Sequence, residues 1–389
     1  MISHCPVCQS NQLNSFLTLR NLPIYCNLLW SEQAAAKACT KDDINLAVCL
    51  ACGFILNASF NPKLLAYSQD YENSLHYSGR FQEYADNLAY RLVETHQLYG
   101  KKIIEIGCGK GDFLESLCRI GNNSGIGFDN SYVPIDRHAD LEITFIQDFY
   151  SEKYADHTGD FVCCRQVLEH LQEPLDFLER VKKLARDRSD AVLFFEVPNS
   201  AYIFQKLSIW DIIYEHCNYF TDISLAYGLR KAGFRIKDLT EEFGGQFLGI
   251  EGVPSQKPTA EPCQNQESLE ALFALLEVFK DKFDQKIAFH KHQLAELNAA
   301  DKRVAIWGTG SKGVTFLNLL DGEQTVAYAI DVNPKKQGKF VAGTGQKILS
   351  PDQLQDVPVD VVMIMNPLYQ EEIRASLANL HLSPELLIL

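Results

Sequence analysis

Ile103-Ile-Glu-Ile-Gly-Cys-Gly-Lys-Gly-Asp112-Phe-Leu is the stretch on which the reading of this chain turns. An apolar run carrying Glu105 meets three alternating glycines, then an acid followed by apolar residues. That order predicts a strand, a tight loop and the N-terminus of a helix. Gly107, Gly109 and Gly111 let the backbone turn sharply and approach a ligand that a Cβ would hold off. Working outward, Asp129 ends a second apolar run, Gly125-Ile-Gly-Phe-Asp129, 18 residues past Gly111. A ribose-binding acid belongs at that place in a doubly wound nucleotide site. Asp148, followed by Phe149, closes a third run, Ile143-Thr-Phe-Ile-Gln.

The Glu-x-Gly-x-Gly-x-Gly form resembles the first motif of Rossmann-like S-adenosylmethionine (SAM) methyltransferases. A dinucleotide fingerprint carries its third glycine one residue later. The resemblance implies that Glu105, Gly107, Gly109 and Gly111 hold SAM, with Asp129 on the ribose hydroxyls and Asp148 and Phe149 at the adenine. Strands and helices then alternate. Phe161-Val-Cys-Cys-Arg reads as the fourth strand, Pro174 opens a helix, and Ala191-Val-Leu-Phe-Phe-Glu-Val-Pro reads as the fifth strand. Phe234 to Leu239 and Phe247 to Glu251 form a final strand pair. Such alternation means a mostly parallel sheet covered on both faces. Gln166 and His170 follow the fourth strand at the carboxyl edge, where ligands bind. Gln166 is a candidate contact to SAM or substrate, with a capping role as the alternative. His170 reads as a packed histidine, and Glu196 stands at the same edge.

Composition bounds the rest. At 389 residues the chain is too long for one core and implies two or three domains. A net charge of -14 argues against a general nucleic-acid or anionic-membrane binder. No apolar stretch reaches the ~20 residues of a membrane span. The start, Met-Ile-Ser-His-Cys, lacks the pattern of a secretory signal. Twelve cysteines, several in apolar runs (Cys108, Cys163, Cys164), fit a reducing cytoplasm.

Residues 1–65 carry Cys5-Pro-Val-Cys8 and Cys49-Leu-Ala-Cys52-Gly53. Two such pairs supply four thiolates to one tetrahedral ion, which predicts a structural zinc site at Cys5, Cys8, Cys49 and Cys52. Gly53 permits the left-handed residue that closes the second turn. The 40-residue gap between the pairs implies an inserted excursion. Cys26 and Cys39 read as bystanders.

Residues 66–255 form the second segment, entered by an amphipathic helix from Tyr84 to Tyr99. Residues 256–389 form the third. A polar, proline-containing linker from Pro254 to Pro262 leads to a long helix, whose Leu269, Leu272, Phe273, Leu276, Phe279, Phe283 and Ile287 recur every three to four residues. Arg303-Val-Ala-Ile-Trp-Gly308-Thr-Gly-Ser-Lys-Gly313-Val then starts a second strand, loop and helix. Val326 to Asp331 and Val359 to Met365 read as further strands. The fold class is therefore α/β: a Rossmann-like core, an N-terminal zinc-binding domain and a second, C-terminal Rossmann-like domain. Amides at the start of the Gly308 helix attract phosphate. Gly308, Gly310, Ser311 and Lys312 are thus candidate acceptor contacts, and Asp331 is a second ribose candidate. Lys335 and Lys336 read as solvated. The Gly308-x-Gly310-x-x-Gly313 spacing also matches the dinucleotide fingerprint, so an NAD-binding or sensing role stays open.

Zinc knuckles, SAM core and C-terminal glycine-loop unit, in this order, resemble the three-domain C-methyltransferase family acting on nucleotide-linked keto-sugars. The resemblance covers essentially the whole chain. It implies a small-molecule acceptor, methylation of carbon beside a sugar ketone, and a protein that works as a monomer or homodimer. The family's catalytic phrase stands here as Tyr214-Glu215-His216-Cys-Asn-Tyr-Phe220. By resemblance His216 is the base, Tyr214 and Glu215 orient it or the substrate, and Tyr71, with Tyr77 as rival, supplies an upstream tyrosine. The family's Gly-Gly-Ser-aliphatic-Arg phrase reads Gly244-Gly245-Gln246-Phe247-Leu248-Gly249 here. That departure leaves a different small-molecule acceptor, methylated at oxygen or carbon, as the alternative.

Overall fold

The fold is given by a computed structural model that describes residues 2–65, 71–134, 140–185, 191–255, 266–320 and 325–389. Most of the Pro254 to Pro262 linker lies outside the described residues.

In the N-terminal segment β1 (Leu13–Pro23) and β2 (Lys41–Cys49) pair antiparallel around the short helix α1 (Gln33–Lys37). β3 (Ile55–Asn57) adds to β2. This hairpin is the excursion that separates the two cysteine pairs. Gly53 sits at φ +72, and a Cβ there would meet Leu269 at 2.7 Å, so the turn accepts only glycine.

Helix α2 (Gly79–His96) starts five residues before the sequence reading placed it, because Ser78 caps it by accepting from Phe81 N. Its buried stripe is Phe81, Ala85, Leu88, Ala89, Leu92 and Val93. The sheet that follows is seven-stranded. Its strands are β4 (Lys102–Ile106), β5 (Ser124–Phe128), β6 (Ile143–Ile146), β7 (Phe161–Arg165), β8 (Val192–Pro198), β10 (Phe234–Glu242) and β11 (Phe247–Pro254). The order is β10-β11-β8-β7-β4-β5-β6, parallel except where β11 pairs with β8 and β10. Central β7 is buried along its whole length, as a strand covered on both faces must be. The coverings are α3 (Asp112–Gly121), α4 (Pro174–Lys182), α5 (Ser200–Lys206) and α6 (Asp222–Lys231). The two-residue strand β9 (Asn218–Tyr219) leaves this domain and pairs with β3 of the N-terminal sheet.

The 34-residue helix α7 (Gln266–Ala299) leads to the C-terminal unit. Among the described residues no helix is long and apolar enough to cross a membrane. The unit has α8 (Ser311–Leu319), α9 (Gln370–Asn379) and five strands: β12 (Val304–Trp307), β13 (Tyr328–Ile330), β14 (Ile348–Leu349), β15 (Val361–Ile364) and β16 (Glu385–Ile388). They pair in parallel in the order β14-β13-β12-β15-β16.

The apolar cores do not respect the three segments. One cluster joins β1 and β2 to Trp210, Tyr214, Tyr219, α7 and β12. Another joins Cys5, Cys49, Cys52 and Phe54 to Ile104, Val162 and Phe220. The carboxyl ends of both parallel sheets are thereby fixed around one cleft.

Candidate functional site

The first glycine loop is built for close approach. Gly107, Gly109 and Gly111 have φ of 75, 56 and 86 degrees. A Cβ on Gly107 would stand 2.2 Å from Val167, while the space above Gly109 holds no atom within 4 Å. That combination is a cradle with room for a ligand on its open side. Asp129 braces the loop: one carboxylate oxygen accepts from Gly109 N at 2.8 Å, the other from Ser131 N and Oγ at 2.7 Å each. Beneath the loop, burial pushes Glu105 up to about 8, and its Oε2 has no hydrogen-bond partner. Asp148 accepts from Phe149 N at 2.8 Å and Tyr154 Oη at 2.7 Å, and pairs with Lys153. The Phe149 ring stays 61% exposed. The residue set fits SAM: a backbone cradle open at Gly109, an acid that braces it and an exposed aromatic at Phe149.

A cavity of about 370 Å3 opens between the middle and C-terminal domains. The first glycine loop, Asp129, Asp148 and Phe149 are not in its wall. Gln166 is, and it joins the two regions from the end of β7. Gln166 holds φ +56 and donates Nε2 to Glu196 Oε1 at 3.0 Å. Glu196 is also taken by Arg165, 3.1 Å away, and by the Tyr84 hydroxyl. This buried network holds the carboxyl ends of β7 and β8 in place.

The Tyr214-Glu215-His216 phrase is split by the backbone. His216 faces the cavity, with its ring edge-to-face against His170 at 5.0 Å. Burial first, then His170 and the Lys312 charge, hold its pKa well below the ordinary value. Its resting form is therefore the neutral imidazole. Glu215 is fully buried and accepts from Cys26 N at 2.9 Å and from the Tyr71 side chain. Tyr214 turns away: its hydroxyl donates to Asp42 at 2.9 Å and accepts from Asn61 N at 3.0 Å. It ties β2 to this loop and is absent from the cavity wall. Tyr71 and Tyr77 both reach the wall, Tyr71 buried and Tyr77 41% exposed.

Across the cleft stand Gly308, Gly310, Ser311, Lys312 and Asp331. Asp331 already serves its own loop, accepting from Thr309 N at 3.0 Å and Oγ1 at 2.6 Å and from Asn333 N at 2.9 Å. Lys312 is not the free point charge that its loop position suggests. It pairs with Asp211 of the middle domain. Lys336, read from sequence as solvated, is 7% exposed and stands in the cavity wall. Its Nζ donates to Asn27 Oδ1 at 3.1 Å, and a Cβ on Gly310 would lie 3.9 Å from that ammonium. Its burial depends on Asn27, 309 residues away in sequence, so no local pattern announces it. The domains are stitched by a reciprocal amide pair, Gln246 with Asn366 at 2.9 and 3.0 Å, and by Glu72 with Lys335 at 3.0 Å.

The four N-terminal cysteines converge. Cys5 and Cys52 sulfurs are 3.7 Å apart, Cys8 and Cys49 sulfurs 3.4 Å, and all four lie within 4.8 Å of one another. Zn–S bonds of ~2.3 Å place tetrahedral sulfurs ~3.8 Å apart, so the cluster fits a zinc ion.

Residues 76–239 match the family described as a methyltransferase domain, and residues 255–384 match the C-methyltransferase C-terminal domain. The ubiquinone biosynthesis O-methyltransferase of Actinobacillus pleuropneumoniae serotype 7 (strain AP76) is 33% identical over 124 residues, 29% of this chain and 52% of the relative. That of Escherichia coli O157:H7 is 30% identical over 120 residues, 29% of this chain and 49% of the relative. The chain thus spans about half the length of the curated relatives it matches. Among solved structures, the PH0226 protein of Pyrococcus horikoshii OT3 is 14% identical, with a TM-score of 0.40 over 49% of this chain and 100% of that one. The 1,6-didemethyltoxoflavin-N1-methyltransferase of Burkholderia thailandensis is 16% identical, with a TM-score of 0.36 over 45% of this chain and 80% of that one.

Proposed function

We propose that this chain, a SAM-dependent methyltransferase carrying the C-terminal domain of C-methyltransferases, methylates a carbon beside the ketone of a small anionic acceptor. A nucleotide-linked keto-sugar fits that description. The observation that carries the reading is His216, an imidazole facing a cavity whose opposite wall holds a glycine loop and a buried lysine.

SAM would be held by Gly107, Gly109, Gly111 and Asp129, with Asp148 and Phe149 toward the adenine, and would supply an electrophilic methyl on its sulfonium. The acceptor's anionic group lies between the Lys336 ammonium and the amides of Ser311 and Lys312, which open α8. His216 would take the proton from the carbon beside the ketone, and the resulting enolate would take the methyl as the methyl–sulfur bond breaks and S-adenosylhomocysteine leaves. General-base assistance of this kind contributes typically ~10²–10⁴ in rate. Glu215 and Tyr71 position rather than react: the Glu215 carbonyl sits 3.0 Å from His170 Nδ1, and His170 braces the His216 ring. Cys5, Cys8, Cys49 and Cys52 would hold a structural zinc that secures the N-terminal segment, whose Asn27 accepts from Lys336 Nζ.

Solvent exchange tests the base without requiring turnover. With a nucleotide-linked keto-sugar and S-adenosylhomocysteine in deuterium oxide, the wild-type protein is expected to exchange the proton beside the ketone, and His216→Asn is not. Exchange at wild-type rate in His216→Asn removes His216 from the role. O-methylation is the second reading, favoured by the curated relatives' names; there His216 would deprotonate a hydroxyl instead.

A further inference from the structure

Two segments that meet at the cavity wall carry a donor set of which the methyl transfer uses His216 and its brace His170 but not the Glu169 carboxylate. One is the turn after β7, with Glu169 and His170. The other is the loop before β9, with His216. They are laced together. Asn218 Nδ2 donates to the Leu168 carbonyl at 2.9 Å and to that of Leu171 at 2.5 Å, and the Cys217 thiol lies 3.5 Å from the Glu169 carbonyl. We propose that Glu169, His170 and His216 form a binding site for a divalent first-row transition-metal ion, separate from the four-cysteine cluster.

One donor atom of each of the three residues lies within 4.8 Å of the other two. His170 Nε2 and Glu169 Oε1 are 3.9 Å apart. Bonds of ~2.1 Å to one ion set neighbouring donors ~3.4 Å apart, so small side-chain rotations close the set. Glu169 is 1% exposed, and its Oε2 has no hydrogen-bond partner. A buried carboxylate oxygen left unsatisfied is costly, and a cation would satisfy it. The Glu215 carbonyl, 3.0 Å from His170 Nδ1, accepts only, so Nδ1 carries the hydrogen and Nε2 the lone pair. A backbone carbonyl on the far nitrogen is the usual device for aiming a ligating histidine. Among the described residues no protein hydrogen bond reaches the His216 ring nitrogens, and the ring faces the cavity.

Two imidazoles and one carboxylate select zinc, cobalt, nickel or iron(II) over magnesium or calcium, which prefer oxygen alone. Three protein donors leave the cavity side of the ion open to water or an acceptor oxygen. The site exists whatever His216 does in turnover. If His216 is the base, ion and proton compete for one lone pair, and the loaded protein is inactive until a chelator frees it.

Cobalt(II) is the probe. Protein whose cysteine cluster is first filled with zinc is titrated with cobalt and followed by visible absorption. One further equivalent per chain is expected, with the weak bands of nitrogen and oxygen ligation and no thiolate charge-transfer band. Glu169→Gln and His170→Gln are each expected to weaken it about 10–100-fold or more, with near-ultraviolet dichroism confirming the fold. Copper(II) bound to the wild type is expected to show two imidazole nitrogens by pulsed electron paramagnetic resonance, a reading that needs no variant. The proposal is overturned if folded, zinc-filled wild type takes up no cobalt at millimolar concentration. It is equally overturned if uptake is unchanged in both variants, or if bound copper shows no coupled imidazole nitrogen.

Discussion

Lys336 Nζ lies 3.1 Å from Asn27 Oδ1, a bond between the two ends of the chain made inside the cleft. Among the described residues no carboxylate stands within 4 Å of that ammonium, whereas Lys312 is neutralised by Asp211. The unspent positive charge therefore belongs to Lys336. Lys336→Met is expected to raise the KM for an anionic acceptor about tenfold or more while leaving SAM affinity unchanged. Lys312→Ala, which cuts a tie between domains, is expected to lower the thermal midpoint instead. Steady-state kinetics and thermal melts of the two variants separate the roles.

Asp129 braces the first glycine loop through Gly109 N at 2.8 Å. On the proposed reading it stands at the ribose of bound SAM. Asp129→Ala is expected to weaken SAM binding by about tenfold or more, read by calorimetry. Asp331→Ala, at the equivalent place in the C-terminal unit, should leave SAM affinity unchanged.

Elemental analysis should find about one zinc per chain, held by Cys5, Cys8, Cys49 and Cys52. Those sulfurs pack in the same cluster as Phe54 and the core of the middle sheet. Stripping the ion should therefore lower the stability of the middle domain as well as that of the N-terminal hairpin. Chelator titration followed by far- and near-ultraviolet dichroism reads both losses.

Glu105 gives the stability a pH dependence of known sign. Burial raises its pKa to about 8 from an ordinary 4.5. Between those values the folded chain keeps a proton that the unfolded chain has released. The Glu105 contribution is therefore fully present below pH 4.5 and is lost as pH rises through about 8. Glu105→Gln, which cannot ionise, is expected to gain stability over the wild type at pH 8 and none at pH 4. Urea unfolding at the two pH values checks this.

The strands around the first glycine loop were legible because each is an apolar run ended by glycine or an acid, a signal carried within a few residues. The same holds for α7, whose stripe repeats at helical spacing. β9 was not legible: two residues make a strand only because β3 waits beside them. The Tyr214-Glu215-His216 phrase shows a different limit. Tyr214, Glu215 and His216 are consecutive, yet in a loop consecutive side chains diverge. Tyr214 reaches Asp42, Glu215 reaches Cys26 and His216 reaches the cavity. Adjacency in a motif therefore did not mean adjacency in the site. Lys336 reads as solvated from sequence because the Asn27 side chain it meets is 309 residues away.

The central claim is that His216 opens a carbon beside a ketone to methylation. Its most direct test is transfer from SAM carrying a carbon-13 methyl to nucleotide-linked keto-sugars, followed by carbon NMR of the product. A methyl bonded to carbon is expected in the wild type, and no methylated product with His216→Asn despite unchanged SAM binding. A methyl bonded to oxygen, or carbon methylation that survives His216→Asn at near wild-type rate, would contradict it.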